Sequence, residues 1–144
     1  MTINTNLILL VEDDPDHEAL AIRALRKANV ANEISVARDG AEALALVDKF
    51  EAGELPMPQL VLLDLKLPKV QGLDVLKAIR SKERASLLPV VVLTSSDEER
   101  DIVSSYRLGV NSYIRKPVNF TDFAEATKQL GMYWLLLNQA PPIS

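Results

Sequence analysis

The chain has 144 residues, 48% hydrophobic and 25% charged, with a mean hydropathy of +0.07, a composition that suits one soluble globular domain rather than a disordered chain. A net charge of -4, a pI near 5.0 and the lack of any Lys/Arg block speak against a nucleic-acid surface. With no cysteine, disulfides, thiolate metal sites and cysteine nucleophiles drop out together, and no apolar window approaches the roughly 20 residues of a membrane span.

The start, MTINTNLILLVEDD, has neither the basic stretch nor the cleavage region of a secretory leader, so a cytoplasmic address is expected. Leu7 to Val11 reads as a buried strand, and Asp14-Pro15 as a helix start, with the aspartate as N-cap and the proline at the first helical position. Ala19, Leu20, Ile22, Ala24 and Leu25 give that helix its apolar residues. A second strand, Ile34 to Ala37, is followed by Asp39-Gly40 and a helix through Ala43, Leu44, Leu46, Val47 and Phe50. The breaker-rich loop EAGELPMP leads to the strand Leu60 to Leu63, and a helix carrying Leu73, Val75, Leu76 and Ile79 begins after Gly72. Val90 to Leu93 is the fourth strand, with Ser95 and Ser96 expected to cap the acidic start of the next helix at DEER. Ser112 to Ile114 is the fifth strand, and a last long helix starts near Asn119 or Thr121.

Strands alternating with helices argue for an α/β fold, a doubly wound five-stranded parallel sheet with helices on both faces. Ligand sites in such sheets lie beyond the carboxyl ends of the strands. That gives a reason to look again at Asp64, a carboxylate set directly after four apolar residues; alone it is either the ordinary polar end of a strand or part of a site. Glu12, Asp13 and Asp14 end the first strand, Thr94 to Ser96 the fourth, and the fifth runs into Lys116. Crowded carboxylates need a cation, and oxygen donors without nitrogen or sulfur point to Mg²⁺. A carboxylate flanked by a hydroxyl, a lysine and Mg²⁺ is equipped to accept a phosphoryl group, with Asp64 as the nucleophile. Asp14 reads more simply as an N-cap than as a metal ligand. His17, the one histidine, reads as a solvated first-turn residue rather than as a metal ligand or phosphoryl carrier.

The pair Glu12-Asp13, the stretch LLDLKLPKVQG, VVLTS with Thr94 and YIRKP with Lys116, in this order and on these strand ends, resemble the receiver domain of two-component response regulators. The resemblance implies a flavodoxin-like sheet of strand order 2-1-3-4-5 with five helices. It implies that Asp13, Asp64 and the backbone carbonyl of Lys66 bind Mg²⁺ directly and that Glu12 acts mainly through metal-bound water. Thr94 and Tyr113 would be a switch pair, the hydroxyl moving toward the phosphoryl group and the ring following it. Lys116 would hold phosphoryl oxygens, its bond to Pro117 would be cis, and Lys66 and Ser96 would occupy the positions that tune phosphoryl lifetime. The implied partner is a sensor histidine kinase. The C-terminal stretch MYWLLLNQAPP, the Glu-Asp pair and the long loop before the third strand resemble the stand-alone regulators that serve bacterial phytochromes.

One domain over residues 1–144 is expected, with a core at 7–130 and an extended apolar helix and tail at 131–144, leaving no room for an output domain. Met132 to Leu137, six apolar residues in a row, cover more of a helix than one stripe against a sheet needs. Tyr133, Trp134, Leu136 and Leu137 are therefore expected in a homodimer interface, against the simpler possibility that the tail folds back over them. An aspartyl-phosphate phosphatase would place a second aspartate where Lys66 stands, a flavin or nucleotide binder would need a Ser/Thr/Gly-rich loop where VEDDPD stands, and an unphosphorylated interaction module would have no use for the full acceptor set.

Overall fold

The computed structural model describes residues 7–28, 30, 32–117, 119–138 and 142. Strands β1 (Leu7–Val11), β2 (Glu33–Ala37), β3 (Leu60–Leu63), β4 (Val90–Thr94) and β5 (Ser112–Arg115) form one parallel sheet in the order β2-β1-β3-β4-β5. Every residue of β1, β3 and β4 is buried, which explains their unbroken apolar runs: a central parallel strand is covered on both faces. Side chains alternate between those faces. Ile8, Leu10, Leu60, Leu62, Val91 and Leu93 pack with Leu25 of α1 (Pro15–Lys27) and Phe123 of α5 (Phe120–Gly131). Leu9, Val11, Val61, Leu63 and Val92 pack on the other side with Phe50 of α2 (Gly40–Ala52) and Ile79 of α3 (Gly72–Ser81). The fifth helix is α4 (Glu99–Arg107).

Local chemistry sets the helix starts as expected at two places. Asp14 caps α1 by accepting from the Asp16 and His17 amides with Pro15 at the first position, and Asp39 caps α2 by accepting from Glu42 N at 2.8 Å. The start of α4 differs. Its N-cap is Glu98 rather than a serine; Ser96 Oγ donates to Asp101 Oδ2 at 2.6 Å and accepts from Glu98 N at 3.4 Å, so it braces the turn before the helix. A short 3₁₀ turn, Ala85–Leu87, precedes β4. It is held from α2, where Glu51 accepts from the amides of Arg84 and Ala85.

At the amino end of the sheet Arg80 of α3 gathers five acceptors. Its Nε donates to Leu108 O (3.1 Å), Nη1 to Ser86 O (3.0 Å) and Leu88 O (2.8 Å), and Nη2 to Gly109 O (2.7 Å) and Asn111 Oδ1 (3.2 Å). Asn111 Oδ1 also accepts from Val90 N at 2.8 Å, so one guanidinium ties α3 to the beginnings of β4 and β5.

The last helix is not α-helical throughout. After Gly131 the chain continues as a π-helical segment, Met132–Leu137, closed by Asn138 N donating to Tyr133 O at 2.6 Å. Gly131 lets α5 approach α1, since a Cβ there would lie 2.7 Å from Leu25 Cδ2. Trp134 and Leu135 pack partly against the α1–α5 side of the core, whereas Met132 and Tyr133 are 42% and 52% exposed. The side chains of Leu136 and Leu137 lie outside the described ones.

Candidate functional site

Strand register assembles the site. Val11 pairs with Leu63, Leu63 with Val92, and Thr94 with Arg115. Glu12, Asp64 and Lys116 therefore each occupy the first position past their strands, around Thr94 at the end of β4, on one edge. Gly72 makes room there: a Cβ on it would lie 2.3 Å from Asp64 O and 2.5 Å from Leu65 Cα. Only a residue without a side chain lets α3 start against the acceptor loop.

Asp64 is 5% exposed and fully engaged. Its Oδ1 accepts from Thr94 Oγ1 at 2.7 Å and from Lys66 N at 3.1 Å, and its Oδ2 from Lys116 Nζ at 2.8 Å. Lys116 Nζ also donates to Glu12 Oε1 at 2.5 Å and lies 3.0 Å from His17 Nδ1. Glu12 is buried too, and its Oε2 accepts from Asp14 N at 3.2 Å. Asp13 is exposed, yet carboxylate oxygens of Glu12, Asp13 and Asp64 all come within 4.8 Å of one another.

The charges do not balance. Burial pushes the Glu12 carboxyl up to about 7 and the charge of Asp64 adds to the rise, although the hydrogen bond and charge of Lys116 pull it down. Burial alone would lower the pKa of the Lys116 ammonium, but the charge and hydrogen bond of Asp64, with those of Glu12, carry it above its ordinary value. Once Glu12 ionises, three carboxylates against one ammonium leave two negative charges, which one divalent cation would balance. The donors are all hard oxygens, so the residues fit Mg²⁺ or Mn²⁺.

Several expectations change in detail. The Thr94 hydroxyl donates to the Asp64 carboxylate itself. The Tyr113 hydroxyl donates to Ser96 O at 2.8 Å, and its phenol is raised chiefly by burial. Ser96 N in turn donates to Thr94 Oγ1 at 3.3 Å, so acceptor, hydroxyl, loop and aromatic form one chain of hydrogen bonds. Glu12 is paired with Lys116. The Lys116–Pro117 bond is trans, not cis. An X–Pro bond favours trans by about 0.5–1 kcal/mol unless packing opposes it. His17 is half-buried rather than solvated, its ring stacked on Phe123 with centroids 5.1 Å apart. Nothing in the sequence marked that contact, which depends on α1 lying against α5, nor the Ser96–Asp101 bond.

The response regulator receiver domain profile matches residues 8–128, and the chain belongs to that family. It is 42% identical over 135 residues to the probable methanogenesis regulatory protein FilR2 of Methanothrix harundinacea, a match covering 94% of this chain and 87% of that one. It is 38% identical over 130 residues to the response regulator Rcp1 of Synechocystis sp., covering 90% and 88% of the two. The crystal structure of the Mn²⁺-bound form of Rcp1 superposes with a TM-score of 0.88 at 36% identity, over 94% of this chain and 99% of that one. The phosphorylated cyanobacterial phytochrome response regulator RcpA gives 0.90 at 38% identity, over 96% and 99%. Sheet order and helix count are those of a flavodoxin-like receiver.

Proposed function

We propose that the protein is a single-domain response regulator that accepts a phosphoryl group on Asp64 from a phosphohistidine of a sensor kinase. The observation that carries this is the Asp64 carboxylate itself, shared between a hydroxyl, a backbone amide and an ammonium beside two further carboxylates. An Asp64 oxygen attacks phosphorus while the P–N bond to the kinase histidine breaks and the imidazole nitrogen leaves with the electron pair. As Asp64 loses its charge, Lys116 passes one N–H from Oδ2 to a phosphoryl oxygen, and Thr94 passes its hydrogen from Oδ1 to another. Asp13, Asp64 and the Lys66 carbonyl would hold Mg²⁺, with Glu12 acting through metal-bound water, and the ion would neutralise charge at the transferring group. Thr94, Ser96 and Tyr113 then carry the change to α4 and β5, and the Lys66 and Ser96 side chains tune how long the phosphoryl group lasts.

The output is contact with protein partners. The exposed Met132 and Tyr133, continuous with Trp134 and the positions of Leu136 and Leu137, support a homodimer through this segment. The likeness to Rcp1 and RcpA supports a phytochrome-type kinase as the donor and the cytoplasm as the place. Among the described residues no helix is long and apolar enough to cross a membrane. The test is labelling with acetyl phosphate and Mg²⁺. The wild type should form an acid-stable, alkali-labile acyl phosphate, and Asp64→Asn should not; an Asp64→Asn protein that labels as fully as the wild type refutes the assignment. Sizing with Mg²⁺ and beryllofluoride tests the dimer.

A further inference from the structure

We infer that His17 is a positioning residue for Lys116: its unprotonated Nδ1 accepts one N–H of the ammonium and keeps that group at the α1–α5 side of the cleft. An ammonium has three N–H donors and no acceptor. Around Lys116 Nζ stand three acceptors, Glu12 Oε1, Asp64 Oδ2 and His17 Nδ1. Since the lysine is protonated, the ring nitrogen facing it at 3.0 Å carries the lone pair and the ring proton sits on Nε2. The competing partner on the same helix, Asp14 Oδ2, lies 3.6 Å from Nδ1, too far for a hydrogen bond. The ring cannot swing aside freely, because it stacks on Phe123 of α5, whose own ring lies 6.0 Å from the ammonium.

This arrangement has a use that the bare salt bridges lack, and it rests on the acceptor assignment above. When Asp64 is esterified, Lys116 loses one acceptor and gains a phosphoryl oxygen. Two carboxylates alone would leave the lysine with a single remaining anchor, Glu12, itself drawn toward the metal site. His17 is the anchor that neither the metal nor the phosphoryl group claims, so the ammonium pivots about Glu12 and His17 and delivers its third N–H to the incoming oxygen.

His17 is the only histidine in the chain, so ¹⁵N-histidine labelling yields one pair of ring signals. At about pH 8, above the ordinary imidazole range, the resting protein should show a pyridine-type Nδ1 and a pyrrole-type Nε2. A free neutral imidazole already favours that tautomer, so the decisive signature is an Nδ1 resonance moved by the ammonium hydrogen bond, and Lys116→Met should return it to the free-imidazole position. A protonated Nδ1 in the wild type, as in a ring turned to Asp14, overturns the inference. In the labelling assay His17→Leu should slow acyl-phosphate formation about tenfold, the scale of one hydrogen bond to a charged group. His17→Gln, whose amide oxygen can accept from the ammonium, should restore most of the rate. A His17→Leu protein as fast as the wild type, or a His17→Gln protein as slow as His17→Leu, also overturns it. If the wild type itself fails to label, the acceptor assignment falls, and the ring signals by themselves still decide whether His17 holds Lys116.

Discussion

Glu12→Gln should make the metal-free protein more stable at alkaline pH, and the gain should vanish in acid. In the folded protein Glu12 holds its proton up to about pH 7, against an ordinary value of 4.5 in the unfolded chain. Between those values the folded state binds more protons than the unfolded one, so stability contributed by this group is full below about pH 4.5 and is lost as pH rises through 7. A gap of two to three units at about 1.4 kcal/mol each gives a loss of about 3 kcal/mol. Glutamine keeps the shape and cannot ionise, and Lys116 still has Asp64 at 2.8 Å. Urea unfolding of both proteins in EDTA, at about pH 4.5 and about pH 8, isolates the effect because all other titrations cancel in the difference. At a slope of about 2 kcal/mol/M, the midpoint difference should change by roughly 1.5 M. Adding Mg²⁺ at about pH 8 should stabilise the wild type more than the variant, and binding below pH 7 should release a proton. A midpoint difference that does not vary with pH would refute the reasoning, as would a Glu12→Gln protein that loses stability at pH 8, since then the Glu12–Lys116 pair outweighs the burial of the carboxylate.

Gly72→Ala should lower stability by about 1–3 kcal/mol in the same urea assay, because the new Cβ collides with the backbone of Asp64 and Leu65; acyl-phosphate formation should slow with it as the acceptor loop shifts. Ser105→Ala should be neutral or stabilising by up to about 1 kcal/mol, read as an unchanged or raised melting temperature. The Ser105 Oγ is the one buried side-chain polar atom without a hydrogen-bond partner among the described residues.

The strands and helices could be read from the chain because each has a local cause: apolar runs for β1, β3 and β4, and Asp-Pro and Asp-Gly for the starts of α1 and α2. The edge residues followed from the topology, since a parallel sheet brings all five carboxyl ends together. What escaped the sequence needed packing between distant segments. His17 reaches Lys116 across 99 positions. Ser96 was read as a cap from its neighbours, but its hydroxyl donates to Asp101. No residue type announces a π-helical turn such as Met132–Leu137, and the partial packing of Trp134 on the domain's own core depends on where α5 lies.

The Arg80 cluster gives the sheet two unlike ends. At the amino end β4 and β5 are fastened to α3 through backbone carbonyls and Asn111, contacts that involve no side chain of the acceptor site. At the carboxyl end, the Thr94 and Tyr113 side chains reach the loop before α4 through Ser96, whose amide donates to Thr94 Oγ1 and whose carbonyl accepts from the Tyr113 hydroxyl. The two ends of the sheet are therefore held by separate sets of contacts. Loosening the Arg80 end by substitution would remove no side chain that touches Asp64.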